Sequence, residues 1–64
     1  MPMEKKPDYK GWTVYVSWYK SKRGGATYYA MYGRKGRKLR SGEVRETEQA
    51  ALEYAHQKID EEVT

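Results

Sequence analysis

The chain is 64 residues long and carries a net charge of +4, with seven tyrosines, two tryptophans and no cysteine. This length allows one small domain, and the lack of cysteine excludes a disulfide framework and a thiolate zinc site. No apolar run approaches the roughly 20 residues of a membrane span, and the start of the chain shows no signal-peptide pattern. We therefore expect a cytoplasmic or nucleoid-associated protein with no membrane partner.

The first eight residues, MPMEKKPD, are polar and include two prolines. This composition predicts a flexible N-terminal arm over residues 1–8, followed by a single domain over residues 9–64. Such a domain is expected to be either a free-standing small protein or a fragment of a larger one.

Charge is divided sharply along the chain. Residues 9–42 contain nine lysines and arginines and no acid, whereas residues 43–64 contain seven acids and two cations. The two parts therefore carry +9 and −5, and the first eight residues are neutral. This charge dipole favours a polyanion as the partner of the basic part.

The segment WTVYVSWY, residues 12–19, predicts the first strand, because β-branched and aromatic residues follow one another with period-two alternation. The more apolar face, expected to form the core, consists of Trp12, Val14, Val16 and Trp18. The other face consists of Thr13, Tyr15, Ser17 and Tyr19. The following segment KSKRGG, with Gly24 and Gly25, predicts a hairpin turn.

The segment ATYYAMY, residues 26–32, predicts the second strand, but its buried face is open. One choice buries Tyr28, Ala30 and Tyr32, and the other buries Thr27, Tyr29 and Met31. We favour the first choice, because it places a small residue beneath a covering helix.

A second tight turn is predicted for GRKG, residues 33–36, and a third, weaker strand for RKLRSGEV, residues 37–44. Leu39 is expected to be buried, with Val44 at the end of the core. Alternation along the strand then places Lys38 and Arg40 together on the outer face of the sheet.

From Thr47 the pattern changes to that of a helix, TEQAALEYAHQKIDEEV. Thr47 suits the N-cap, and the acids around it favour the positive end of the helix dipole. A narrow apolar stripe at helical spacing comprises Ala51, Leu52, Ala55, Ile59 and Val63. The predicted fold is α+β, a three-stranded antiparallel β-sheet packed on one C-terminal α-helix in the order β-β-β-α.

Residue types that carry out catalysis or bind metal are scarce. His56 is the only histidine, and it flanks the apolar stripe of the helix, where a histidine is usually a surface or boundary residue. A metal site would need ligands that this composition lacks. We expect no enzyme, and therefore no catalytic residue, metal, cofactor or small-molecule substrate.

A nucleic-acid interface has more support. If one sheet face packs on the helix, the other face and the basic turns around it are exposed. Basic side chains in turns can neutralise phosphates, while strand residues reach base edges. The candidate nucleic-acid-binding residues are Tyr15, Ser17, Tyr19, Lys20, Lys22, Arg23, Tyr29, Arg34, Lys35, Arg37, Lys38 and Arg40. The alternative interpretation is a solvated basic hairpin that provides solubility.

The stretch GEVRETEQAALEYA resembles part of a known group of β-β-β-α DNA-binding domains. These are the domains of plant ethylene-response factors and the N-terminal arm-type-site binding domains of tyrosine recombinases, which are integrases of phages and conjugative transposons. The matching features are Gly42 and Val44 at the end of the third strand, a helix entry rich in Thr and Glu, and the helix start AALEY. The stretch TYYAMYGRKGRKLRSG also resembles the aromatic strand, basic turn and basic strand of the integrase domains, so the likeness covers roughly residues 9–60.

The resemblance implies that the sheet enters the major groove of DNA, with outward strand residues on bases and turn residues on phosphates. Carried over by position, Lys38 and Arg40 would be the main base-reading residues, with Tyr15, Ser17 and Tyr19 beside them. The resemblance also implies a protein encoded by a phage or another mobile element.

Duplex DNA is thus the expected partner, and two alternatives stay open. The chain could bind single-stranded DNA or RNA by stacking bases on Tyr15, Tyr19 and Tyr29. It could instead be a protein-interaction or inhibitor module whose acidic helix docks on a basic protein partner.

Overall fold

The computed structural model of the chain describes residues 3–63, which form an antiparallel sheet followed by one helix. The strands are β1 (Met3–Tyr9), β2 (Trp12–Lys20), β3 (Ala26–Arg34) and β4 (Arg40–Ser41), and the helix is α1 (Glu48–Val63). The strands lie in chain order, and α1 packs on one face of the sheet. The predicted α+β class is confirmed, but the sheet has four strands rather than three. No helix within residues 3–63 is long and apolar enough to cross a membrane.

The additional strand, β1, corrects the arm that was predicted for residues 1–8. Met1 and Pro2 lie outside the described residues, and from Met3 onward the segment pairs with β2. Lys10 and Gly11 connect the two strands with positive φ angles of 49° and 83°, which fit a type I′ turn. The polar composition was misleading because β1 is an edge strand. Edge strands tolerate charged residues, and Pro7 lies where the pairing register shifts.

The longest strand pairing in the sheet is the antiparallel ladder between β2 and β3. It pairs nine residues on each strand, from Trp12 with Arg34 to Lys20 with Ala26, without a register shift. The sheet residues buried under the helix are Trp12, Val14, Val16, Ala30 and Tyr32. β3 therefore buries the face that carries Ala30, which is the choice that the small-residue argument favoured.

Three apolar residues that were predicted for the core are exposed. Trp18 is 43% exposed, Val44 51% and Val63 45%. Trp18 has the expected parity on β2, but it pairs with Tyr28, which in turn pairs with Arg45 in the segment that leads into α1. This end of the sheet therefore lies beside the helix entry rather than beneath the helix.

α1 begins where the sequence predicts. The Thr47 hydroxyl oxygen accepts a hydrogen bond of 3.1 Å from the Ala50 N–H, which is the interaction of an N-cap. Ala51, Ala55 and Ile59, spaced one turn apart, are fully buried. The two alanines allow the helix backbone to lie close to the sheet, and Ile59 supplies the largest fully buried side chain among the described residues.

Ion pairs attach the first hairpin to α1. Lys6 pairs with Glu48 in the first turn of the helix, and Lys10 Nζ lies 2.6 Å from Asp60 Oδ1 near the other end. The Tyr9 hydroxyl donates to the same Asp60 carboxylate at 3.0 Å. The hydrogen bond from Lys10 holds the pKa of Asp60 below its ordinary value of 3.8. These contacts explain why a strand as polar as β1 stays on the domain.

The Asp60 carboxylate gives a testable pH dependence. Because its pKa is lowered by folding, its contribution to the free energy of unfolding is present above pH 3.8 and is lost as the pH falls through the lower folded-state pKa. Asp60→Asn is therefore expected to be less stable than the parent at neutral pH, and the difference should shrink well below pH 3.8. Urea unfolding at several pH values measures this. Asp8→Asn is the control, and an Asp60→Asn deficit that persists unchanged in acid would contradict the assignment.

Candidate nucleic-acid interface

The sheet face opposite α1, here called the outer face, is formed by all four strands. The strand register assigns to it Met3, Lys5, Thr13, Tyr15, Ser17, Tyr19, Thr27, Tyr29, Met31 and Ser41. The four strand residues of β2 and β3 that were predicted for the interface, Tyr15, Ser17, Tyr19 and Tyr29, are thus brought together. Lys5 is the only charged side chain that the register of the described strands places on this face.

Tyrosine rings dominate the middle of the outer face. The rings of Tyr19 and Tyr29 lie 6.1 Å apart between centroids and are tilted by 56°. Together with Val44 they line a shallow apolar hollow. Ser17 is only 2% exposed, because it sits in the floor between its register partners Met3 and Tyr29. The face therefore offers aromatic surface with few charges, a surface suited to the flat edges or faces of bases.

The turn between β2 and β3, residues 21–25, forms one end of this face. The Gly24 N–H donates to the Ser21 carbonyl at 3.1 Å, and the Ser21 N–H donates to the Gly25 carbonyl at 2.7 Å. Gly24 has a φ of 96°, which a side-chain-bearing residue would adopt only with strain. The tight closure places Lys22 and Arg23 at the exposed tip of the hairpin.

The turn between β3 and β4, residues 35–39, forms the opposite end. The Arg37 N–H donates to the Arg34 carbonyl at 2.8 Å, and Gly36 has a φ of 79° at the third position, as in a type II turn. Leu39, which directly precedes β4, is half-buried beside Gly33. It does not belong to the apolar cluster under the helix, where it was expected. A Cβ at Gly33 would lie 2.9 Å from the Lys38 carbonyl oxygen, so glycine is required for the chain to fold back here.

Ion pairs divide the cations into two groups. Those within 4.0 Å of a carboxylate are Lys6, Lys10, Arg40, Arg45 and Lys58. Those with no such partner among residues 3–63 are Lys5, Lys20, Lys22, Arg23, Arg34, Lys35, Arg37 and Lys38. All of the second group except Lys5 lie in the two turns or at the strand ends that enter them. Uncompensated positive charge is therefore concentrated at the two ends of the β2–β3 ladder.

The predicted position of Arg40 on the outer face is wrong. Arg40 pairs with the buried Tyr32 in the register and so lies on the helix side, where its guanidinium binds the Glu62 carboxylate. This interaction lowers the pKa of Glu62 and raises the pKa of Arg40. Lys38 precedes β4 and belongs to the turn. Alternation failed here because β4 has only two residues, so strand parity does not extend back through residues 37–39.

Lys5 is a residue of the outer face that the sequence reasoning missed, because it was assigned to an arm. The available signal was the pair Lys10-Gly11 between two aromatic residues, which permits a two-residue hairpin. His56 stacks on Tyr9, with ring centroids 4.0 Å apart, and so packs the first hairpin against α1.

No group of three or more His, Cys, Asp or Glu residues within the described part of the chain is placed to hold a metal ion. Comparisons with protein-family models, curated proteins and solved structures find no match to this chain.

Proposed function

We propose that this protein binds nucleic acid through the outer face, with duplex DNA as its target. Side chains of the face lie against bases in the groove, and the two turns contact phosphates. The observation that supports this best is the division of the cations. Seven cations without a carboxylate partner lie at the two ends of the β2–β3 ladder, while the other cations of the described chain, apart from Lys5, are paired with acids.

The arrangement of the charge, with basic ends and an almost uncharged middle, favours a duplex. At about 3.3 Å per residue, a nine-residue ladder separates the two basic ends by roughly 25–30 Å, with an almost uncharged face between them. A DNA groove likewise presents base edges flanked on each side by a phosphate backbone. A single strand lying along the face would instead place its phosphates over the uncharged middle. Binding of this kind is also what the resemblance to integrase and ethylene-response-factor domains implies.

Docking of α1 on a basic protein is a weaker alternative, because most acids of the helix already form ion pairs within the chain. Four of them, Glu48, Asp60, Glu61 and Glu62, pair with cations of the same chain. A basic protein partner would have to replace these internal ion pairs, and their loss would offset part of the binding free energy. We therefore do not propose an interface through the helix.

Single-stranded DNA or RNA is a second candidate, and the tyrosines of the outer face favour it. Bases stack on exposed aromatic rings with little sequence preference, at about 1–3 kcal/mol per base. Tyr19 and Tyr29, which line the apolar hollow, are the rings that would be used. In this case Tyr29→Ala would weaken single-strand binding far more than duplex binding.

Titration of the labelled protein with a duplex and with either of its strands, at equal ionic strength, tests the proposal. For a duplex held by five or six phosphate contacts, the slope of log K against log salt should be about −4.5 to −5.5. NMR resonances of the outer face and both turns should shift, while those of the helix surface should not. A flat salt response, or shifts confined to α1, would overturn the proposal, and tighter binding of the single strand would favour the second candidate.

A further inference from the structure

An open cleft of about 580 Å³ lies at the end of the sheet where β3 turns toward β4. We call it the turn cleft. Its wall includes Trp12, Arg34, Arg37, Lys38, Arg40 and Glu62. It lies between the turn and the C-terminal end of α1, on the helix side of the sheet, since Trp12, Arg34 and Arg40 share the parity of the buried face.

The charge inside the turn cleft is strongly positive. Arg40 and Glu62 neutralise each other, since their side chains form an ion pair. The other three cations, Arg34, Arg37 and Lys38, have no carboxylate within 4.0 Å among the described residues. An anion that enters the cleft would therefore meet three cations that form no ion pair within residues 3–63.

The Arg34 side chain and the Arg37 backbone are held in place before any ligand arrives. The Arg34 guanidinium lies 5.6 Å from the centroid of the buried Trp12 ring, in a cation–π contact. The Arg37 N–H donates to the Arg34 carbonyl, and Gly36 closes the turn with its positive φ. A site whose donors are already ordered loses less conformational entropy on binding.

The cavity at the opposite turn differs in one respect. It is lined by Lys20, Lys22 and Arg23, but also by Glu46, which has no ion-pair partner among the described residues. That carboxylate opposes an anion. The two basic turns are therefore not equivalent, and the turn cleft is the stronger anion site of the two.

We propose that the turn cleft binds the terminal phosphate of a nucleic-acid strand. This inference rests on the proposed function and narrows its ligand to phosphorylated strand ends. A terminal phosphate carries a charge of about −1.5 to −2 at neutral pH, whereas a phosphate inside a strand carries −1, so the terminal group is the better match for three free cations. A terminal phosphate also fits a cleft more readily than an interior phosphate does, because the nucleic-acid strand continues from only one side of a terminal phosphate.

The test uses the full chain with Trp18→Phe, which leaves Trp12 as the only indole. We compare one duplex carrying 5′-phosphate, 3′-phosphate or only hydroxyl ends, at constant ionic strength. One of the two phosphorylated duplexes should bind about tenfold more tightly than the duplex with hydroxyl ends, because its terminal phosphate accepts additional charge-assisted hydrogen bonds. Arg37→Gln should remove this preference, whereas Lys22→Gln should weaken all forms alike and keep it. Inorganic phosphate alone should shift the Trp12 indole N–H resonance.

The outcomes separate the two proposals. Duplex binding without any preference for a phosphorylated end would overturn the assignment of the cleft and leave the proposed function standing. A Trp12 shift with inorganic phosphate, but no binding of any oligonucleotide, would overturn the proposed function and the strand end as ligand. An end preference that survives Arg37→Gln, with the fold intact by circular dichroism, would place the terminal phosphate elsewhere.

Discussion

Replacing Lys22, Arg23 and Arg37 by glutamine is expected to weaken duplex binding several-hundredfold at about 0.1 M salt. None of the three has a carboxylate partner among residues 3–63, so each can neutralise a phosphate at no cost to an internal ion pair. Loss of three contacts should also reduce the magnitude of the salt slope by about 2.7. Fluorescence anisotropy with a labelled duplex over a series of salt concentrations measures both quantities.

A second triple variant with the same net charge is the control. Lys10, Arg45 and Lys58 pair with acids of the same chain, and replacing them by glutamine should weaken binding far less. Equal losses in the two variants would mean that total charge governs binding and that the outer face and its turns are not the site. Circular dichroism of both variants excludes unfolding as the cause.

Replacing Ile59 by alanine is expected to leave the domain largely unfolded at room temperature. Ile59 is fully buried between α1 and the sheet, and such a truncation costs about 2–5 kcal/mol. A core of this size rarely supplies more than about 3–5 kcal/mol of stability. Urea or thermal unfolding followed by circular dichroism measures the loss, and the NMR spectrum should lose its dispersion.

Two milder changes accompany this experiment. Ile59→Val removes one methyl group and should cost about 0.5–1.5 kcal/mol. Val63→Ala lies one turn further along α1, but its parent side chain is 45% exposed, so the change should stay within about 0.5 kcal/mol. If Val63→Ala destabilised the protein as much as Ile59→Ala, the helix would have to pack through a different face.

Much of the local structure follows from short-range patterns in the sequence. The alternation over Trp12 to Tyr19, the glycines at 24 and 25, and Thr47 before an apolar stripe each depend on neighbouring residues. They predicted the β2–β3 hairpin and the start of α1, which the structure confirms. The two basic turns of the candidate interface were identified for the same reason.

Short-range sequence patterns could not predict the strand β1 or the side of the sheet on which Arg40 lies. β1 is polar, and what holds it is distant in the sequence: Lys6 meets Glu48, and Lys10 meets Asp60. Arg40 was placed by extending strand parity back through residues 37–39, but a strand of two residues takes its parity only from its partner. Such facts depend on contacts between residues far apart in the chain, and local pattern contains no information on them.

The sequence by itself determined the charge dipole, the β2–β3 hairpin, the capped helix and the tyrosines of the outer face. Only the tertiary structure decided which cations stay free. Folding brings the acids of the second part of the chain against Lys6, Lys10 and Arg40, and the pairing leaves the turn cations exposed. The physical reason is that the sign and number of charges are properties of composition, whereas compensation between charges depends on distances of a few ångströms that the packing of α1 on the sheet sets.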